Sequence, residues 1–254
     1  CASKACFNSC GYRGSLMKQL KNWDNKTWLS SVKYISSFHN FLKSKININK
    51  KTTILDIGCG RANLIYFLEK KYKFNVKPIG VDVVKNIKNK QNIIFKKKDA
   101  IKYLKSCKNN FDLILIKQTI HFFKKKEINI LLNLAKKSLK KNGKIIIFFL
   151  KRNQNAIPTF KKMKIKLDLS LERDVSLIGI IEKNFKKYKK NNFKFKVSIS
   201  KKTYIKMIQN RYISILLSFS EKDIKLGILE IDTKYPKKIH FNDILNCIMY
   251  QKKN

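Results

Sequence analysis

The sequence has few of the residues that mark several large classes of protein. Only eight of its 254 residues are glycine and three are proline, which excludes collagen-like and proline-rich disordered chains. The longest apolar run lies between Lys144 and Lys151 and is far shorter than the roughly 20 residues that span a bilayer. We therefore predict no transmembrane segment and no membrane partner. Apolar residues still make up 44% of the chain, enough for a globular core.

Acidic residues and arginine are also scarce. The chain has 16 Asp and Glu against 58 Lys and Arg, a formal net charge of +42. Charge of this size is typical of proteins that bind nucleic acid. Only five of the 58 cations are arginine, however, and arginine is the residue that phosphate and base recognition favours. We therefore interpret the lysines as the bias of an AT-rich coding sequence, and nucleic acid is the less favoured partner.

Six cysteines are present, and only Cys1, Cys6 and Cys10 are clustered. Cys6 and Cys10 lack a second pair of Cys or His at ligand spacing, so we predict no metal site. No apolar signal segment follows them, and scattered cysteines fit reduced thiols, which favours a cytoplasmic protein. Residues 1–16 resemble nothing after them. We expect them to be a non-native or disordered leader before a natural start at Met17.

Helix and strand patterns alternate through the first half of the chain. Large apolar side chains recur at helical intervals over residues 18–45, which predicts a helical lid over residues 17–49. Short apolar runs predict five strands separated by helices, at residues 51–58, 76–83, 92–97, 111–116 and 144–150. This alternation predicts a doubly wound α/β core over residues 50–152, with a mostly parallel sheet.

The pattern changes after residue 152. The predicted elements there are helices at 171–187, 203–217 and 221–231, a strand at 193–199 and a last strand at 243–250 that completes a seven-stranded sheet. We interpret the lysine-rich stretch 185–196 as a helix end and loop, and Asn142-Gly143 as the end of the helix before the fifth strand. Residues 153–254 are therefore expected to form a helical cap insertion together with the last strands.

The most informative segment follows the first predicted strand. It runs from Asp56 to Ala62 as Asp-Ile-Gly-Cys-Gly-Arg-Ala and contains two of the eight glycines. Glycines here let the backbone turn sharply and approach a ligand, next to the N-terminus of the following helix. Asp82 and Asp99 come at the ends of the second and third strands. Three carboxylates are therefore expected at one edge of the sheet, where a ribose and an adenine ring offer hydrogen-bond donors.

Residues 50–152 resemble the class I S-adenosylmethionine-dependent methyltransferases in the order and spacing of these motifs. Asp56 to Ala62 is similar to their first motif, although Ala62 replaces a glycine, Asp82 to their ribose-binding acid and Asp99 to the acid that contacts adenine. Residues 111–114 resemble their fourth strand, and residues 139–144 the turn before their fifth. The resemblance implies S-adenosylmethionine as cofactor, held by Asp56, Gly58, Cys59, Gly60, Asp82, Val83, Asp99, Ala100, Lys117 and Gln118.

The glycine loop alone also fits a Rossmann dehydrogenase, but Asp56 favours the methyltransferase, because a carboxylate there would repel a diphosphate. Gln118 to Phe122 resembles the Q-x-x-H-H segment of many small-molecule methyltransferases. It makes His121, just beyond the fourth strand, the candidate catalytic base or substrate contact. Packing over the edge of the cofactor is the alternative role for His121.

Selection of the methyl acceptor in this fold usually depends on the segments added to the core. Trp28, with Trp23 and Tyr34, is a candidate lid residue, and Arg152 and the pair Arg211-Tyr212 are candidates to clamp a carboxylate. We therefore predict methyl transfer to a small metabolite, and an acidic one if the clamp exists. The alternatives are an RNA or protein methyltransferase that uses the basic surface, and a non-catalytic protein that binds the cofactor.

Overall fold

A computed structural model describes residues 27–85, 90–108, 110–152 and 156–253. The predicted leader and Trp23 lie outside these ranges. The strands of the described residues are β1 (Ile54–Ile57), β2 (Ile79–Asp82), β3 (Ile94–Lys97), β4 (Phe111–Lys117), β5 (Leu139–Leu150), β6 (Lys189–Ser200) and β7 (Lys238–Gln251). The helices are α1 (Val32–Lys43), α2 (Asn63–Tyr72), α3 (Ala100–Ser106), α4 (Lys125–Lys137), α5 (Lys161–Phe185), α6 (Lys201–Gln209) and α7 (Glu221–Lys234). Short 3-10 helices lie at Trp28–Ser30, Ile120–Phe122 and Ser214–Ser218.

The strands form one sheet in the order β3-β2-β1-β4-β5-β7-β6. Strands β1 to β5 pair in parallel, and β7 runs antiparallel to both β5 and β6. This confirms the predicted seven-stranded, mostly parallel sheet. The order reverses between β1 and β4, because the chain moves outward from β1 to β3 and then returns to the other side of β1. Ligands of open α/β sheets bind at this reversal, beyond the carboxyl ends of the strands.

The central strands are continuous apolar runs because helices cover both faces of the sheet. Leu113 and Leu115 of β4 belong to one core, with side chains of α1 and α2. Ile114 and Ile116 alternate with them and belong to a second core, with side chains of α3, α4 and α5. Burial on both faces explains why β4 has no alternation of apolar and polar residues.

Two predicted boundaries are wrong. Helix α4 ends at Lys137, and the chain turns at Ser138 directly into the pairing of Leu139 with Phe111. Asn142-Gly143 therefore lies within β5, and Asn142 has a φ of +64°. Helix α5 begins at Lys161, ten residues before its predicted start. None of the described helices has a stretch long and apolar enough to cross a membrane.

The lysine-rich stretch 185–196 is also different from its prediction as a loop. It contains the first half of β6, an edge strand in which Phe193 and Val197 are buried and the intervening lysines are exposed. Lysines on an edge strand oppose pairing with other chains. The segment after residue 152 thus contributes both β6 and β7 to the sheet, besides its helices. Helix α1 packs on this side, with the Phe38 ring 4.8 Å from that of Phe193.

Candidate functional site

A cavity of about 880 Å³ lies at the carboxyl ends of the parallel strands, near the top of the size range of ligand pockets. All ten residues predicted to hold a cofactor line this cavity, and so does His121. They come together because parallel strands end at the same edge and because the sheet order reverses between β1 and β4. The three carboxylates of Asp56, Asp82 and Asp99 thus face one space, as the sequence predicted.

The loop after β1 requires its first glycine. Gly58 has a φ of +71°, and a Cβ on it would lie 2.1 Å from Oγ1 of Thr119, which follows β4. The N–H of Gly58 donates to the carbonyl of Val81 at 2.8 Å, which holds the loop against β2. Ala62 also has a left-handed backbone, with a φ of +53°. Gly60 also lines the cavity, and a Cβ on it would meet nothing within 4 Å.

Asp82 connects the ends of β1 and β2. Its Oδ2 accepts a hydrogen bond from the N–H of Gly60 at 2.9 Å, and its Oδ1 accepts one from the N–H of Val84 at 2.9 Å. An ionised carboxylate has about four acceptor positions, so Asp82 can still accept hydrogen bonds from ligand hydroxyls. The site thus has an anchored carboxylate whose orientation is fixed by two backbone groups.

Asp99 is the N-cap of α3. Its Oδ1 accepts from the N–H groups of Ile101 at 3.0 Å and Lys102 at 3.1 Å. An N-cap carboxylate stabilises the start of a helix, so Asp99 has a structural role as well as a place in the cavity. The capping bonds use one oxygen and leave Oδ2 as an acceptor for a ligand donor.

Asp56 is the most buried of the three acids, with 4% of its surface exposed. Burial raises the pKa of Asp56 to about 7, Asp82 adds to this rise, and the nearby Lys117 opposes it. The Lys117 ammonium lies over the rings of Tyr34 and Phe38, 5.3 and 5.5 Å from their centroids. Both rings line the cavity and contribute an aromatic wall from α1, of which only Tyr34 was predicted.

His121 stands on the 3-10 helix that follows β4, with its ring 4.1 Å from that of Phe122. Its Nε2 is buried and has no hydrogen-bond partner among the described residues. Burial and, to a smaller extent, the positive charge of Arg173 lower the pKa of His121 to about 4. The imidazole is therefore neutral at pH 7, and it lines the cavity while its Nε2 stays buried.

Trp28 and Tyr212, predicted to contact the substrate, do not line the cavity. The Trp28 indole N–H donates to Oδ2 of Asp243 at 2.9 Å, and its ring packs 5.2 Å from that of Tyr212. The hydroxyl of Tyr212 lies 2.8 Å from that of Tyr204, and both tyrosines are fully buried. These residues form a core in which each polar tip has a partner, as buried tyrosine and tryptophan usually do.

The two arginines predicted to clamp a carboxylate also lie outside the cavity lining. The guanidinium of Arg211 donates to the carbonyls of Leu216 and Phe219 and pairs with Glu221 at 2.6 Å. Arg211 has a φ of +51°, and its side chain reaches forward to the carbonyls at the end of the 3-10 helix Ser214–Ser218. Arg152 is exposed and pairs with Glu172 at 2.9 Å. Neither arginine lines the cavity.

The cavity has a second wall that the sequence reasoning missed. Helix α5 contributes five residues with helical spacing, Lys166, Leu169, Ser170, Arg173 and Leu177. The 3-10 helix Ser214–Ser218 contributes Ser214, Ile215 and Ser218. The spacing of the α5 residues marks one helix face, but that face mixes charged and apolar side chains and so gives no simple apolar stripe. The cavity therefore lies between the strand ends and a helical wall.

Comparison with known proteins gives a family for this arrangement. Residues 48–211 match the family model described as a methyltransferase domain. This match covers more than half of the chain and includes the glycine loop, the three acids and α5. A comparison with curated proteins finds no match.

Solved structures of methyltransferases have a similar fold. A phosphoethanolamine N-methyltransferase from Haemonchus contortus, solved with phosphomonomethylethanolamine and S-adenosylhomocysteine, aligns over 91% of this chain with 16% identity and a TM-score of 0.51. The aligned part is 60% of that chain. A SAM-dependent methyltransferase from Archaeoglobus fulgidus aligns over 86% of this chain and 94% of its own, with 20% identity and a TM-score of 0.50.

A third structure aligns over nearly the whole length of both chains. This structure is the plantazolicin methyltransferase BpumL, solved with S-adenosylhomocysteine. The alignment covers 98% of this chain and 92% of BpumL, with 18% identity and a TM-score of 0.52. At these identities the likeness is one of fold.

Proposed function

The chain belongs to the class I S-adenosylmethionine-dependent methyltransferases, and we propose that it transfers the methyl group of this cofactor to a small metabolite. The observation that carries the proposal is the convergence of ten predicted cofactor residues on one cavity that also has a separate helical wall. The strand ends offer a site for the nucleoside, and the helical wall encloses space for an acceptor.

The residues at the strand ends fit the cofactor. Gly58 holds the loop against Thr119, Gly60 has open space where a Cβ would stand, and the carboxylate of Asp82 lines the cavity between the two loops. We propose that Asp82 accepts hydrogen bonds from the ribose hydroxyls, and that Asp99 accepts one from the adenine amine. The bound cofactor supplies an already activated methyl group on a sulfonium, so no further activation of the donor is needed.

The environment of Asp56 favours a cationic ligand over an anionic one. Its carboxyl is buried, and because its pKa is about 7 it is close to the balance between neutral and ionised forms. A positive charge nearby favours the ionised form. We propose that Asp56 bears on the cationic end of the cofactor and becomes fully ionised on binding. An anionic diphosphate would instead keep Asp56 protonated.

On the acceptor side, the chain's main contribution is to hold the nucleophile in place. Correct positioning of two reactants can supply roughly 7–11 kcal/mol of a barrier. His121 faces the cavity as a neutral imidazole, and its Nε2 has no partner among the described residues. In the tautomer that carries its proton on Nδ1, Nε2 can accept the proton that an acceptor nitrogen or oxygen loses. We therefore propose His121 as a substrate contact and proton acceptor.

The proposal is tested by the fate of a radiolabelled methyl group. The chain is incubated with methyl-labelled S-adenosylmethionine and either dialysable metabolites or RNA and protein, with Asp82→Ala as the control for cofactor use. We expect label in the small-molecule pool, and its loss in Asp82→Ala. Label in RNA or protein that falls steeply with salt would identify a macromolecular acceptor instead. Cofactor binding without label in either pool would identify a non-catalytic protein.

A further inference from the structure

The two walls of the cavity differ in charge. All three acids that line it lie at the strand ends, whereas the helical wall has Lys124 and Lys125 at the start of α4 and Lys166 and Arg173 on α5, with no acid. The number of cations alone is weak evidence for an anionic ligand, because cations outnumber acids throughout the chain. The identity and position of the residues on α5 are stronger evidence.

Helix α5 has four acids, and none of them lines the cavity. Asp168 pairs with Lys164 at 2.9 Å, Glu172 with Arg152 at 2.9 Å and Glu182 with Lys190 at 2.7 Å, all away from the cavity lining. The fourth acid, Asp174, lies 3.7 Å from the guanidinium of Arg173. Of the six cations of this helix, Lys166 and Arg173 line the cavity, whereas none of its acids does.

Arg173 is one of only five arginines in the chain, and the only one that lines the cavity among the described residues. Its ion pair with Asp174 is long, and 58% of its side chain is exposed, so most of its donors are available to a ligand. A guanidinium is suited to carboxylate and phosphate because it can donate two parallel hydrogen bonds. Lys166 lies on the same face of α5, two helical turns before Arg173, and it donates to Oγ of Ser218.

His121 connects this cationic pair to the expected site of chemistry. His121, Lys166 and Arg173 line the same cavity. Arg173 is close enough for its charge to lower the pKa of His121. An anion on Arg173 would offset this repulsion and would also lie near the imidazole. The wall thus combines two cations with a neutral hydrogen-bonding group and the apolar side chains of Leu169 and Leu177.

We propose that Arg173 and Lys166 bind an oxyanion of the methyl acceptor, a carboxylate or a phosphate, and so place the acceptor beside His121. The inference rests on the proposed methyltransferase function, because it concerns the acceptor half of that site. It gives Arg173 and Lys166 the role of selecting an anionic acceptor, and it transfers the acidic-substrate prediction from Arg152 and Arg211 to α5.

The test uses the three histidines as reporters. Inorganic phosphate and, separately, acetate are titrated into the full chain at pH 7 and constant ionic strength, and the ring resonances of His39, His121 and His240 are followed by NMR. His121→Gln assigns the reporter signal. The comparison is between Arg173→Gln and Arg152→Gln, which each remove one positive charge from an exposed, ion-paired arginine, the first inside the cavity and the second outside it.

We expect both anions to shift the His121 resonances saturably, with little change at His240. Arg173→Gln should weaken this binding roughly 10-fold or more, as expected for a charged hydrogen bond, and Arg152→Gln should leave it unchanged. The tighter anion identifies the acceptor group as phosphate or carboxylate. Lys166→Gln provides a second variant, with a smaller loss expected.

Unmoved His121 resonances, or equal binding by the two arginine variants, would overturn the inference. A separate titration with S-adenosylhomocysteine distinguishes this failure from a failure of the proposed function. If that ligand binds and the anions do not, the methyltransferase proposal stands without the anionic acceptor. If the ligand fails to bind, the proposed function is at fault, whatever the anions do.

Discussion

Asp82 is the residue on which the geometry of the cofactor half depends most. Its carboxylate holds the backbone of Gly60 on one side and that of Val84 on the other, so it fixes the loops after β1 and β2 relative to each other. The sequence predicted Asp82 only as a ribose-binding acid. The structure adds a positioning role, because the same oxygens that face the cavity organise its rim.

The substitution Asp82→Ala should lower affinity for S-adenosylhomocysteine by roughly 10- to 100-fold, because it removes a charged acceptor worth about 1.5–3 kcal/mol and releases the loop. Asp112→Ala is the matched control. Asp112 accepts from Thr53 at 2.7 Å and from Lys140 at 2.9 Å at the other end of β4. It should cost stability and leave affinity unchanged. Calorimetry on both variants checks this, and equal affinities would remove Asp82 from the site.

His121 should make stability depend on pH. Its folded-state pKa of about 4 lies below its ordinary value of 6.5, so the unfolded chain binds more protons between these values. Its contribution to stability is therefore complete above pH 6.5 and is lost as the pH falls toward 4, by on the order of 2–3 kcal/mol. The variant His121→Gln should show a flatter curve of unfolding free energy against pH in this window.

Chemical denaturation at several pH values measures this effect. His240→Gln, at an exposed position on β7, is the control for removing a histidine from the chain. It should keep the slope of the wild-type chain. A slope in His121→Gln equal to that of the wild type would mean that His121 is not buried in its neutral form.

At the level of single residues, the positions that follow from strand ends were predictable and those that follow from tertiary packing were not. Asp56, Asp82 and Asp99 end successive parallel strands, and that rule alone brings them together. Nothing in the sequence distinguishes the roles of Arg211 and Arg173. Only the fold shows that Arg211 bonds the carbonyls of Leu216 and Phe219, while Arg173 lines the cavity.

At the level of elements, two helical glycines should respond oppositely to substitution by alanine. Gly179 lies in α5, and a Cβ there would meet nothing within 4 Å, so Gly179→Ala should stabilise the chain by about 0.5–1 kcal/mol. Gly227 lies in α7, and a Cβ there would lie 2.6 Å from the Phe160 ring. Gly227→Ala should therefore destabilise the chain by roughly 1–3 kcal/mol.

Denaturant midpoints of the two variants check this pair of predictions. Both substitutions make the same chemical change in a helix, so each serves as the control for the other. Stabilisation by Gly227→Ala would mean that α7 does not pack against Phe160. Destabilisation by Gly179→Ala would mean that α5 has a neighbour at this position.

The central elements were predictable because their signals are local. Residues 113–116 of β4 and 145–149 of β5 are apolar and buried, and such runs are readable from the sequence. Strand β6 was half missed, because an edge strand that alternates lysine with apolar residues resembles a loop in a lysine-rich chain. The first ten residues of α5 were missed because polar and apolar side chains both occur on the face toward the cavity.

For the whole molecule, the net charge of +42 should destabilise the folded chain, and salt should reduce this destabilisation. Repulsion among exposed lysines opposes compaction, and salt screens it over a distance of about 10 Å at 0.1 M. The melting temperature should therefore rise as sodium chloride is increased from low to moderate concentration, as measured by thermal unfolding followed by circular dichroism. A falling melting temperature would mean that attractive ion pairs outweigh the repulsion.

The charge by itself did not identify the function, since the reading of nucleic-acid binding and that of compositional bias both fit it. The fold distinguishes these two interpretations of the charge only for the lysines near the cavity. It places cations in one wall of a cavity, where they can select an acceptor, and it leaves most lysines on helices and strands away from that cavity. The identity of the acceptor depends on the helical wall, which no sequence motif marks.

The central claim is that the cavity at the carboxyl ends of β1, β2 and β4 binds the nucleoside of S-adenosylmethionine, and a calorimetric titration of the wild-type chain with S-adenosylhomocysteine tests it most directly. The account predicts saturable binding at one site per chain that persists at moderate salt, because the contacts involved are short hydrogen bonds at buried groups. The absence of binding at millimolar ligand, with the chain folded, would contradict it.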